Sequence, residues 1–270
     1  MLPQSQDIGG LIYMSKKIAD AFKNGKAFIG FLTAGDPDLD TTKKIIKKAA
    51  QAGCDLVEIG IPFSDPIAEG PVIQNANIRA LKNNVTTDDV FQMIDEIKDD
   101  IDIPMVFMTY LNVLFKYGYD RFLTRAKEVG ICGVIIPDLP YEEKGELQSV
   151  AKNYGIEVVS LIAPTSEERI KMIAADAEGF VYAVSSLGVT GVRSEIKTDL
   201  ESITAAVKEV TDIPVAIGFG ISTPEQAKKY AAVSDGVIVG SAIVKIIEQY
   251  GKDAPDKIYD YVKSIKDAIR

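Results

Sequence analysis

Short, nearly unbroken apolar runs recur along the chain, and each is followed by a polar turn and a stretch in which apolar residues return every three or four positions. The runs AFIGFL (27–32), DLVEIG (55–60), PMVFM (104–108), CGVIIP (132–137), EVVSLI (157–162), GFVYAV (179–184), PVAIG (214–218) and DGVIVG (235–240) predict strands buried on both faces, since a strand with one wet face would alternate. Segments such as TTKKIIKKAAQAG (41–53) and YEEKGELQSVAKNYG (141–155) predict amphipathic helices, each closed by a glycine. Eight such β-then-α units point to the α/β class and to a single (β/α)8 TIM barrel over residues 14–270, with an extra N-terminal helix. A doubly wound open sheet is the alternative, but such sheets seldom run through eight uninterrupted units.

Two places break the rhythm. The second and third strands are separated by nearly fifty residues, and strand six is followed by the glycine-punctuated passage SSLGVTGVRSEIKT (185–198). Extended loops after strands 2 and 6 are therefore expected, both leaving the C-terminal ends of strands, where barrels house their chemistry.

Composition narrows that chemistry. The chain has no histidine, so proton transfer falls to carboxylates, tyrosine or lysine. Its 39 acidic residues outnumber 30 basic ones, a net charge of −9 that argues against a nucleic-acid surface and requires any bound phosphate to be small and locally gripped. Cys54 and Cys132 lie in apolar stretches, as buried thiols of a reducing compartment do, and they make zinc improbable. No apolar run reaches the roughly 18 to 20 residues that span a bilayer. The first thirteen residues precede a second methionine, Met14, and lack the order of a signal peptide, so residues 1–13 read as a leader or disordered extension of a cytoplasmic protein.

The loops carry two signals. GFGISTPEQ (218–226) and GSAIVK (240–245) follow the last two strands, each setting glycine before a helix start. Gly218 and Gly220 would admit an anion close to the backbone, Thr223, Pro224 and Gln226 form a helix opening, and Gly240 and Ser241 present a second helix N-terminus. Together they predict a phosphate site that needs no lysine, tight turns being the alternative. The second signal is EIGIPFSDPIAEGP (58–71). Glu58, flanked by Val57 and Ile59, should point into the barrel mouth with a raised pKa, ready as acid or base, unless it is a salt-bridged structural residue. Spacing leaves open whether Asp65 and Glu69 do chemistry or cap the helix that opens at PVIQNANIRALKNN (71–84).

These residues also spell a family. EIGIPFSDPIAEGPVIQ (58–74), with FIGFLTAGDPD (28–38), VIIPDLPYEE (134–143), GVTG (188–191), GFGIS (218–222) and GSAIVKIIE (240–248), resembles the α subunit of tryptophan synthase, in order, from about Met14 to the C-terminus. The resemblance implies a lyase that splits indole-3-glycerol phosphate into indole and glyceraldehyde 3-phosphate, uses no cofactor itself, and hands indole to a pyridoxal-phosphate-dependent β subunit in an α2β2 tetramer. Glu58 matches the family's proton-transferring glutamate. Glu69 stands where the family has its second catalytic carboxylate, normally aspartate, and so implies retained function with altered loop geometry. Phe31, Tyr110 and Tyr182 match the indole pocket, with substrate-side Ile135 and Met108 in apolar positions beside it, and Thr190 matches a loop threonine that reaches the second acid. Gly191, Gly220, Gly240 and Ser241 match the phosphate cradle, while Asp65 and Asn112 match positions near the β-subunit surface. The competing readings are a free-standing lyase that releases indole and a non-catalytic activator of the β subunit.

Overall fold

The computed structural model describes residues 16–184, 199–218 and 220–270. Eight parallel strands, β1 (Ala27–Thr33), β2 (Leu56–Gly60), β3 (Met105–Met108), β4 (Ile131–Ile135), β5 (Glu157–Ile162), β6 (Val181–Val184), β7 (Val215–Gly218) and β8 (Gly236–Val239), pair in chain order and close on themselves. Each lies within a residue or two of its predicted run. The apolar side chains divide into two cores by strand alternation: Ile29, Phe31, Leu56, Val106, Met108, Val159, Tyr182 and Ile238 fill the barrel, while Phe28, Leu32, Val57, Ile59, Phe107 and Val134 pack outward against helices. Burial on both faces is why the strands read as continuous apolar runs.

The predicted helix over 41–53 is α1 (Leu39–Gln51), two residues earlier at each end. Asp38 starts it by accepting from Thr41 N–H at 2.8 Å, and Gly53, at φ +101°, ends it. The stretch after β2 departs further from expectation. A ten-residue loop (61–70) is followed by α2 (Pro71–Lys82) and then by a second helix, α3 (Thr87–Asp95), opened by a reciprocal Thr86–Asp89 capping box. The extra length after strand 2 thus holds a second helix as well as the loop that opens it. α4 (Leu111–Tyr117) and α5 (Tyr119–Glu128) follow β3. The predicted 141–155 helix begins as a 3-10 turn at Tyr141–Glu143 and continues as α6 (Lys144–Tyr154). α7 (Glu167–Ala175), α8 (Leu200–Lys208), α9 (Pro224–Ala231), α10 (Ser241–Tyr250) and α11 (Ala254–Ile269) complete the outer layer.

The N-terminal helix before β1 is a five-residue 3-10 helix, Ile18–Phe22, within the described residues. It plugs the barrel floor: Ile18 is fully buried, and a Cβ at Gly133 or Gly179 would stand 2.6 or 2.8 Å from its Cδ1. The leader expected at 1–13 and the loop expected after strand 6, 185–198, lie outside the described residues. Both cysteines are free and buried, and burial pushes each thiol up to about 12. Among the described residues no helix is long and apolar enough to cross a membrane.

Candidate active site

β2 alternates Leu56, Glu58, Gly60 inward with Val57, Ile59 outward, so the one charged residue of the strand is driven into the barrel by the burial of its neighbours. Glu58 lies in register with Phe31 of β1 and Val106 of β3 and is fully buried. Neither of its carboxyl oxygens has a hydrogen-bond partner among the described residues. With no donor to offset desolvation, its pKa is raised to about 8. The salt-bridge alternative for Glu58 is excluded among these residues.

Glu69 ends the loop just before α2, where Gly70 and the first-turn Pro71 set the helix start. Gln74 Nε2 donates to its backbone carbonyl at 2.7 Å, and Asn77 Nδ2 donates to its Oε2 at 2.7 Å. The Tyr110 hydroxyl accepts from Ala68 N–H at 3.1 Å and hydrogen-bonds the Glu69 carboxyl. Burial raises Glu69 to about 7, less than Glu58, because Asn77 and Tyr110 pull it back down. Helix α2 is held in place by Arg79, whose Nε and Nη2 grip the buried Asp36 at 2.7 and 2.8 Å while Nη1 reaches Glu248 of α10 at 2.8 Å.

The two acids share one narrow cavity of about 30 Å³, lined also by Phe31, Ile73, Met108, Tyr182, Ile221, Ile238 and, at the other side, Gly220, Gly240 and Ser241. Such a volume holds only a water or two, which keeps the carboxyls dry. Through Met108 this space adjoins a larger cavity of about 630 Å³ whose walls include Ile67, Ala68, Pro137, Leu161 and Val184. An aromatic body fits walls of that kind.

The glycines at the two helix starts differ. Gly220 has φ +81°, where a side chain would be strained, whereas Gly240 has φ −115° and is needed for space: a Cβ there would stand 3.2 Å from the Phe31 ring. Gly218, expected to admit an anion, instead makes room for Tyr182, whose ring a Cβ would approach to 2.3 Å. The start of α9 uses its own amides. Thr223 and Gln226 form a capping box, and Gln226 Oε1 accepts from Ser222 N–H at 2.8 Å and from Thr223 N–H at 3.3 Å. α10 begins at Gly240 with no side-chain cap, so its first amides beside Ser241 are not taken up by a cap as those of α9 are.

The sequence-predicted residues thus fall into four groups. Glu58, Glu69, Phe31, Tyr182, Gly220, Gly240 and Ser241 line one cavity, with Tyr110 behind Glu69. Ile135 is fully buried in the barrel interior and lines neither cavity. Asp65, bonded to the Ser64 hydroxyl, and Asn112 at the start of α4 are exposed. Thr190 and Gly191 lie outside the described residues. Sequence reasoning missed Asn77, although an asparagine in the buried stripe Ile73, Ala76, Asn77, Ala80 was a usable signal, because a buried amide requires a partner.

Comparison with known proteins places this site in context. A family model described as tryptophan synthase alpha chain matches residues 18–270. The chain is 49% identical over 256 residues to the tryptophan synthase alpha chain of Lacticaseibacillus casei, covering 95% of this chain and 96% of that one. It is 48% identical over 246 residues to that of Thermoanaerobacter sp. strain X514, with coverage of 90% and 94%. Among solved structures, the alpha chain from Legionella pneumophila subsp. pneumophila superposes with TM-score 0.84 at 36% identity, covering 94% of this chain and 97% of that one. Tryptophan synthase of Mycobacterium tuberculosis gives TM-score 0.86 at 31% identity, covering 95% and 99%. With the fold, the cavity and these likenesses in agreement, the chain belongs to the tryptophan synthase alpha chain family.

Proposed function

We propose that Glu58 and Glu69 divide the family's reaction between them, Glu58 carrying the proton and Glu69 the charge. The chain is a carbon–carbon lyase of tryptophan biosynthesis that cleaves indole-3-glycerol phosphate to indole and glyceraldehyde 3-phosphate. In this retro-aldol reaction indole C3 gains a proton, the bond from C3 to the glycerol chain breaks, and the hydroxyl on the departing carbon loses its proton as it becomes an aldehyde. With a pKa near 8, Glu58 is protonated at neutral pH and holds the proton that C3 needs. Having given it up, the bare carboxylate in a dry, partnerless setting is a strong base for the hydroxyl proton, so one group performs both transfers and is regenerated. Glu69, whose ionised form two donors favour, accepts from the indole N–H and stabilises the positive charge that grows on the ring. The contrast between these two carboxyls in one cavity is the observation that carries the reading. Gly220, Gly240 and Ser241 supply the phosphate end; Thr190 and Gly191 complete the substrate contacts in this proposal.

The partner in this reading is a pyridoxal-phosphate-dependent β subunit in an α2β2 assembly, the α chain using no cofactor and working in the cytoplasm. Large apolar side chains left in the open support a docking face: Ile67 is 73% exposed in the loop after β2 and Phe115 is 72% exposed on α4 after the adjacent β3. Exposed Asp65 and Asn112 lie on the same two segments. In this reading residues 14–270 are the barrel domain and 1–13 a leader or N-terminal extension. The test is a cleavage assay on indole-3-glycerol phosphate with and without the β subunit. Turnover that rises sharply with the β subunit supports the reading, and absence of cleavage even with it present overturns the catalytic assignment.

A further inference from the structure

Glu69 sits at the end of a loop, yet it is only 7% exposed and its carboxyl is fixed from two directions. Tyr110 reaches it from the end of β3. Asn77, 4% exposed, reaches it from the buried stripe of α2, with Nδ2 2.7 Å from Oε2. We infer that Asn77 is a positioning residue for this reaction: it aims the Glu69 carboxylate at the substrate and favours its ionised form beside the second acid. This inference rests on the reading of Glu69 given above.

A buried amide has few uses. Asn77 is not placed to contact the reacting atoms, for it does not line the cavity that holds the two acids, and its amide donates to Glu69. A hydrogen bond donated to an ionised acceptor is about twice as strong as one between neutral groups, so this contact favours the carboxylate. The titratable groups facing Glu69 are Glu58 from β2, Tyr110 from β3 and Tyr182 from β6, and no lysine or arginine is among the described residues lining the cavity. Burial holds both tyrosines neutral. With no cation among the described lining residues, neutral donors are what offset the burial that raises Glu69 to about 7. The donors also fix its direction. Arg79, two residues after Asn77, pins the helix to Asp36 and Glu248, so the amide reaches the loop from a rigid support, and Gln74 holds the Glu69 backbone from the preceding turn. Glu58 has no equivalent among the described residues, so of the two buried carboxyls only Glu69 is served by donors.

The test compares the unaltered chain with Asn77→Leu, which keeps the volume and removes the donor, and Asn77→Asp, which keeps the shape and puts a carboxyl in its place. All are assayed with the β subunit present, and Glu69→Gln is run in parallel. The Glu69 carboxyl is titrated by NMR with carboxyl-labelled glutamate, its signal assigned by its absence in Glu69→Gln. In both Asn77 variants its midpoint should rise by about one to two pH units, the worth of a hydrogen bond to a charged group. The acidic limb of the kcat profile should move up with it, and kcat at pH 7 should fall about tenfold, while affinity for glycerol 3-phosphate stays as it was. If Glu69→Gln cleaves as fast as the parent, the role of Glu69 itself fails. If Glu69→Gln is impaired but the Glu69 midpoint and the kcat profile are unmoved in both folded Asn77 variants, the inference about Asn77 is wrong while the reading of Glu69 stands.

Discussion

The two sides of the barrel mouth solve opposite electrostatic problems with different parts of the chain. On the β2–α2 side two carboxyls are kept dry, one served by donors and one not, and their chemistry resides in side chains. On the β7–β8 side there are glycines, a serine and an uncapped helix start, and the work falls to backbone N–H groups. Acid chemistry needs a proton affinity tuned by burial. Anion binding needs only aligned amides and room to approach them, so the proposed phosphate end requires no lysine, and none is among the described residues of the cavity wall.

The contrast breaks most visibly at Glu58. Glu58→Gln preserves shape but removes the proton, and kcat for cleavage should fall by at least about 10² with glycerol 3-phosphate affinity intact, measured by steady-state kinetics beside a binding titration. The same variant should gain stability in alkali. An unfolded glutamate ionises near its ordinary 4.5, whereas folded Glu58 keeps its proton to about 8, so between those values only the folded state holds it. The stability that neutral Glu58 contributes is complete below 4.5 and lost as pH rises through 8. Denaturant titrations at pH 9 should therefore find Glu58→Gln more stable than the parent by on the order of 4 kcal/mol, a difference that vanishes near pH 4.

At Glu69, replacement by alanine should cost about 3 kcal/mol of transition-state stabilisation, read as a fall of roughly 10² in kcat with the β subunit present. An alanine variant as fast as the parent would leave Glu58 as the sole acid of the mechanism. On the phosphate side the expected change is in affinity. Gly240→Val must displace the Phe31 ring and Gly220→Val must adopt a positive φ, so each should weaken glycerol 3-phosphate binding about tenfold, equivalent to an overpacking cost of about 1.4 kcal/mol, as calorimetry can measure. Unchanged binding in both would remove these loops from the site. The smallest effect belongs to Glu69→Asp. The longer side chain already meets Asn77 and Tyr110, so shortening it should loosen one of these contacts and lower kcat about twofold to tenfold. A faster enzyme would mean that the loop is set for aspartate.

By itself the sequence determined the barrel, because eight strands buried on two faces must be written as apolar runs and amphipathic helices must repeat at their own period. It also determined which side chains could do chemistry: a chain without histidine that sets glutamate inside an apolar strand leaves little choice of proton carrier. Glycines before two helix starts marked the proposed anion end. What the sequence left open depends on approach between distant segments. That Asn77 meets Glu69, that Tyr110 arrives from another strand, that Glu58 meets no donor among the described residues, and that Gly218 yields to Tyr182 are facts of packing. The extra helix α3 likewise gives no local hint of what it presses into place. Hydrophobic period is a local property and survives in one dimension, whereas the pKa of a carboxyl is set by whichever donors and apolar walls surround it in three. The same letter, glutamate, therefore stands at 58 and at 69, and only the tertiary structure gives one of them two hydrogen-bond partners and leaves the other with none among the described residues.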